Sequence, residues 1–128
     1  MDCKLLVKTK PVREQHMDDS VKRYIEGYCE EIQKLFSELR RLILESLPCD
    51  ITISERLWAK LPSYYNGDRF IRIIPFKDHI NAEAAAIIEY REELKGFKTT
   101  PKGMLQIYPH QNMPSGVLRA VFRQTLLG

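Results

Sequence analysis

The sequence predicts an α+β fold, a single small domain whose antiparallel sheet packs against helices. Three observations carry this. Glu30 to Leu47 repeats apolar residues at three- and four-residue spacing, the pattern of an amphipathic helix. Asn66-Gly67 stands between two strand-like runs, a strong hairpin signal. The elements come as helices, then strands, then a helix, a strand and a helix, an order that suits an antiparallel sheet.

Taken in order, residues 1–17 read as an N-terminal extension, and residues 18–128 as the domain. In the extension "CKLLV" suits a short strand, and "KTKPVREQH" is polar and broken by proline. Asp18, Asp19 and Ser20 are N-cap types, so "SVKRYIEGY" is expected to be a short helix loosened at Gly27. The long helix buries Ile32, Leu35, Phe36, Leu39, Ile43 and Leu47, and Pro48 stops it. Its other side carries Glu31, Lys34, Glu38, Arg41 and Glu45, alternating in sign at spacings that pair along a solvated face.

"CDITISERLWA" predicts a short strand centred on Ile51–Ile53. "LPSYYNGDRFIRIIPF" predicts a hairpin with Asn66 and Gly67 at the centre of a type I′ turn. Pro75, which lacks a backbone N–H, places the second strand at an edge or marks a bulge. Asn81 is expected to cap a helix through Ala84, Ile87, Ile88 and Leu94, closed by Gly96. "FKTTPKG" reads as a loop and "MLQIYP" as a strand. Pro114 opens a last helix buried along Val117, Leu118, Val121, Phe122 and Leu126.

Composition narrows the class. Of 128 residues, 44% are hydrophobic and 29% charged, as in globular chains. No apolar run approaches the roughly 20 residues of a membrane helix, and the start lacks a signal-peptide pattern. A cytoplasmic protein with no membrane partner is expected. The net charge is +3, of which +2 lies in residues 1–17, so the domain lacks a nucleic-acid-binding stripe. Cys3, Cys29 and Cys49 form no C-x-x-C pair and read as free thiols.

No dinucleotide, phosphate-loop, hydrolase or zinc-protease motif occurs, so no catalytic residue is assigned. In "PFKDHIN", Lys77 and His79 fall on one face if the strand register runs through Pro75. His79 there suits a general base, a ligand, or a histidine held by a backbone carbonyl. Trp58, Tyr64 and Tyr65 flank "KLP", as core or as a pocket wall. Lys98, Lys102 and Gly103 bracket a Thr-Thr-Pro loop able to hold an anion. Asp18, Asp19, Glu26, Glu30 and Glu31 are the carboxylates that suit a hard cation, although Lys and Arg are interleaved among them.

Read together, "SVKRYIEGY", "ELRRLILESLP", Trp58, "LPSYYNG", "FKDHI" and "ELKGFKTTPKGMLQIYP" resemble the YdhG-like bacterial family, frataxin-like intracellular iron chaperones. The likeness covers about Ser20 to Leu127. It implies a curved antiparallel sheet against helices, and a non-enzymatic role delivering iron for iron–sulfur cluster or haem assembly. It therefore implies exchangeable Fe(II) as cargo and assembly proteins as partners. It also marks Trp58, Pro62, Lys77, His79, Lys102 and Gly103 as a candidate pocket, joined by Tyr64. The metal candidates are the five carboxylates and His79. The chain departs from the family where Cys29 replaces a proline before the long helix, and where "NAEAAAI" follows "FKDHI". The alternative is a small-molecule or anion-binding module built on that aromatic, Lys and His pocket. An enzyme using His79 as general base is a third reading, without a nucleophile.

Overall fold

Two helices lead into a six-stranded sheet closed by a third helix, in a computed structural model that describes residues 16–128. The expectations for the preceding segment lie outside the described residues. The helices are α1 (Asp19–Ile25), α2 (Glu30–Glu45) and α3 (Ser115–Leu127). The strands are β1 (Ser54–Trp58), β2 (Leu61–Asn66), β3 (Arg69–Pro75), β4 (Ile80–Ala84), β5 (Lys98–Thr99) and β6 (Leu105–Ile107). They lie in the order β1-β2-β3-β4-β6-β5, every neighbouring pair antiparallel. The α+β expectation is met.

The first helix begins at a predicted cap. Asp18 accepts hydrogen bonds from the Ser20 and Val21 N–H groups at 3.1 and 3.2 Å, satisfying two donors that α1 leaves open. The α1 helix stops at Ile25, ahead of Gly27. The predicted stripe of α2 is buried throughout, and its solvated side pairs Arg41 with Glu45 at 2.9 Å. The final helix starts after Pro114 and buries Leu118, Val121, Phe122 and Leu126. These helices share one core with Tyr64, Ile71, Ile73, Ile80, Ala82, Ala84, Leu105 and Ile107, which project from a single face of the sheet.

Five local expectations need correction. The strand in "CDITISERLWA" is its second half, because Glu55 turns inward to meet Arg40 and an inward carboxylate breaks the apolar alternation. The turn of the predicted hairpin centres on Gly67-Asp68, since Asn66 pairs with Arg69. Only Gly67 in that turn has a positive φ, 67°, which is the type II′ pattern. "INAEA" is strand β4 rather than the start of a helix. Its Ile80, Ala82 and Ala84 alternate onto the core face opposite Pro75, Ile73 and Ile71, so tertiary pairing overrides alanine's helix preference. The rest of the predicted helix is only a short 3-10 helix, Ala85–Tyr90. Pro75 ends an interior strand, and because the Phe76 N–H bonds the His79 carbonyl, the Pro75–Ile80 pair is a non-hydrogen-bonded one that needs no N–H from Pro75. Two-residue β5 emerges from the segment expected to be a loop.

Free thiols hold only in part. Cys29 is free and exposed, whereas Cys49 is disulfide-bonded. Cys3 lies outside the described residues.

Candidate functional site

Antiparallel register gives the sheet a second face, which no helix among the described residues covers. Strand alternation sends Arg56 and Trp58 of β1, Ser63 and Tyr65 of β2, Phe70, Arg72 and Ile74 of β3, and Asn81 and Glu83 of β4 to this side. Arg72 organises it. Its Nε donates to the Ser63 hydroxyl at 3.0 Å, one terminal nitrogen to Glu83 at 3.3 Å and the other to the Tyr65 hydroxyl at 3.3 Å. The guanidinium also lies over the Trp58 ring at 4.2 Å and the Phe70 ring at 4.1 Å. Arg56 covers Tyr65 in the same way at 3.9 Å. A cation over an aromatic face is attracted by the ring quadrupole, and a planar guanidinium can stack while its edge hydrogen-bonds. Arg72 and Ser63 are buried by this packing, yet Trp58 stays 52% exposed.

Trp58 and Lys60 project from a strained hairpin tip. Trp58 pairs with Leu61 across a two-residue turn, Ala59-Lys60, whose φ angles are 51° and 67°. Both positive angles make a type I′ turn, normally the place of Asn-Gly. Each side chain there costs about 1 kcal/mol or more.

The other predicted pocket residues do not join Trp58 in one cleft. Tyr64 and Pro62 project from the opposite, core-facing side of β2. Tyr64 is fully buried beside the Arg40–Glu55 pair, and its hydroxyl has no hydrogen-bond partner of good geometry. Burial, reinforced by the Glu55 carboxylate, pushes its phenol well above the ordinary value. Arg40 donates to Glu55 at 2.6 and 3.2 Å, and Glu55 also accepts the Asp18 N–H at 2.8 Å.

Lys77 and His79 sit in the turn between β3 and β4, closed by a Phe76 N–H to His79 carbonyl bond of 2.8 Å. The His79 ring stacks on Phe76 with centroids 4.6 Å apart and planes 7° from parallel. Its other neighbour is Tyr108, at 5.1 Å. Nδ1 lies 2.8 Å from the exposed Asp78 carboxylate, and this hydrogen bond holds the Asp78 carboxyl below its ordinary value. The Cys29 thiol faces the Lys77 carbonyl at 4.0 Å. His79 is thus a packed, partnered histidine in the described surroundings, not the backbone-held one anticipated.

Lys102 and Gly103 lie at the far end of the sheet. Ile80 pairs with Ile107 and Ala82 with Leu105, so the chain ahead of β6 lies toward the Ala84 end of β4, and Ala84, Lys102 and Gly103 line one cleft. Lys102 lines a separate cleft with Asp68, Arg69, Phe70, Glu83 and Ile88. Its loop closes on itself, with the Thr100 hydroxyl accepting the Met104 N–H at 3.1 Å. That hydroxyl is therefore already engaged.

Of the candidate metal carboxylates, Asp18 and Asp19 have local side-chain partners, and the other three are spread over the end of α1 and the start of α2. Asp18 caps α1, and hydrogen bonding, first from the Ser20 hydroxyl, holds its carboxyl below its ordinary value. Asp19 lies 3.5 Å from His16, Glu26 caps the C-terminus of α1, and Glu30 and Glu31 occupy the first turn of α2. Among the described residues no three His, Cys, Asp or Glu side chains gather as metal ligands. No helix among them is long and apolar enough to cross a membrane.

Sequence reasoning missed Arg56, Phe70 and Arg72. Strict period-two reading of "RFIRIIP" contains the signal, because Phe70 and Arg72 alternate with Ile71 and Ile73. No family model, curated protein or solved structure matches this chain. Membership of the YdhG-like family is a proposal that rests on the quoted motifs.

Proposed function

We propose that this chain is a non-enzymatic protein-docking module and that the helix-free sheet face is its docking surface. One arrangement supports the reading: Arg72 is fixed between Trp58 and Phe70 while Trp58 remains half exposed. Binding energy at protein interfaces concentrates on Trp, Tyr and Arg side chains. Here their rotamers are held before any partner arrives, which lowers the entropy lost on docking. The strained Ala59-Lys60 tip presents Trp58 at the edge of the same face. The YdhG-like resemblance supplies a role for such a module, docking onto iron–sulfur or haem assembly proteins with Fe(II) as weakly held, exchangeable cargo.

Photo-cross-linking in cells tests the docking surface. A photoreactive residue at position 58 is expected to trap discrete protein partners, and the same residue at Lys34, exposed on α2, is not. Identical adducts from both positions, or none from position 58, refute the reading. The cargo part is tested by Fe(II) titration of the reduced protein, in which NMR lines of α1, α2 or His79 should broaden. Unbroadened lines at all of them remove iron from the proposal.

A further inference from the structure

The charges and the apolar row of the helix-free face say what kind of partner fits it. Arg56, Arg72 and, through its pairing with Gln106, Lys98 project here against the single carboxylate of Glu83, a net +2. Lys60 adds a further cation at the hairpin tip. Arg72 is paired with Glu83, so its charge is largely spent. Arg56 is not paired in this way: its guanidinium meets the Ser54 hydroxyl and the Tyr65 ring, and no carboxylate among the described residues. Lys60 and Lys98 are exposed and likewise form no ion pair among the described residues. Between these cations runs an apolar row through Trp58, Leu61 and Ile74.

Asn81 continues that row. It is 8% exposed, and its side-chain oxygen is buried without a hydrogen-bond partner. That oxygen is sealed beneath its neighbours, so the surface offered to a partner along this row is the apolar one and the cations that flank it.

We infer that the face takes an acidic protein segment, its carboxylates meeting Arg56, Lys60 and Lys98 and its apolar side chains meeting Trp58, Leu61 and Ile74. This rests on the docking reading above and adds the chemistry of the partner. A nucleic acid fits less well. One face of each of the three rings is already taken by a guanidinium, which removes stacking surface for bases. A net +2 also neutralises few phosphates.

Trp58 is the chain's one tryptophan, so its fluorescence reports on this face alone. The probe is a short peptide of alternating Glu and Leu, compared with its Gln/Leu counterpart and with a single-stranded oligonucleotide. The Glu/Leu peptide should shift Trp58 emission saturably, and added salt should weaken it. Arg56→Glu and Lys98→Glu should each weaken it roughly tenfold, because reversal replaces an attraction with a repulsion. Lys34→Glu, off the face, should leave it unchanged. All three positions are exposed, and far-UV circular dichroism verifies that each variant folds.

Equal binding of the Gln/Leu peptide overturns the acidic preference while leaving the docking reading standing. Tighter binding of the oligonucleotide overturns both. If no peptide shifts Trp58, the acidic-partner inference falls, and the position-58 cross-link separately decides the docking reading.

Discussion

Removing the Arg40 guanidinium should destabilise this fold by about 3–5 kcal/mol, because it strands a buried carboxylate. Glu55 is 2% exposed and Arg40 12% exposed at the side chain, and their contact joins α2 to the edge strand β1. Two charge-assisted hydrogen bonds of 2.6 and 3.2 Å are lost in Arg40→Met, with the apolar stem roughly conserved. Each such bond is worth about 1.5–3 kcal/mol, and the desolvated carboxylate gains no replacement. The Asp18 N–H still donates to Glu55 in that variant. A chain of this size should lose roughly 10–15 °C of melting temperature.

Urea unfolding, with the midpoint shifting at constant slope, measures the loss. The double variant Arg40→Met/Glu55→Leu should recover most of it, since an apolar pair of similar volume carries no stranded charge. A coupling energy above about 1 kcal/mol between the two sites is expected. A loss below about 1 kcal/mol in Arg40→Met would show that water reaches Glu55 and that the pair is an ordinary surface one. Strict additivity in the cycle would likewise refute the reasoning.

Two further outcomes concern local structure. Replacing Ala59-Lys60 by Asn-Gly should stabilise the protein by about 1–2 kcal/mol by relieving two positive-φ side chains, as read by the urea midpoint; no gain would mean the strain is absent. Asp18→Ala should cost about 1 kcal/mol at neutral pH through the lost N-cap. The Asp18 carboxyl is lowered from 3.8 in the folded state, so its contribution is full above that ordinary value and lost as pH falls through the lower folded one. Unfolding curves of the two proteins should therefore converge in acid, and a gap that persists there contradicts the cap assignment.

Legibility tracked how local each decision is. The α2 helix was readable because Ile32, Leu35, Phe36, Leu39 and Ile43 put one repeated period on one buried face. Asp18 was readable because capping is decided within a few residues. Strand β4 was not, since "NAEAAAI" is locally helical and becomes a strand only through pairing with Ile71, Ile73 and Pro75. Glu55 was not, because an inward charge makes sense only once Arg40, fifteen residues earlier, stands opposite. Among the site residues, the exposure of Trp58 and the company of His79 were set by long-range neighbours. Phe70 and Arg72 were within reach of a strand-period reading that took in both faces of β3.

By itself the sequence determined that the chain is α+β, where its first, long and last helices lie, and that a hairpin lies around Gly67. These depend on capping, periodicity and turn chemistry, all of which act within a few residues. The tertiary structure alone decided that Lys102 lines a cleft with Phe70 and Glu83 and does not join His79 there. It also decided that Tyr64 and Trp58 occupy opposite faces and that Arg72 gathers Trp58, Phe70 and Tyr65. Sheet register places those side chains, and register comes from pairings between distant segments that no local spacing encodes.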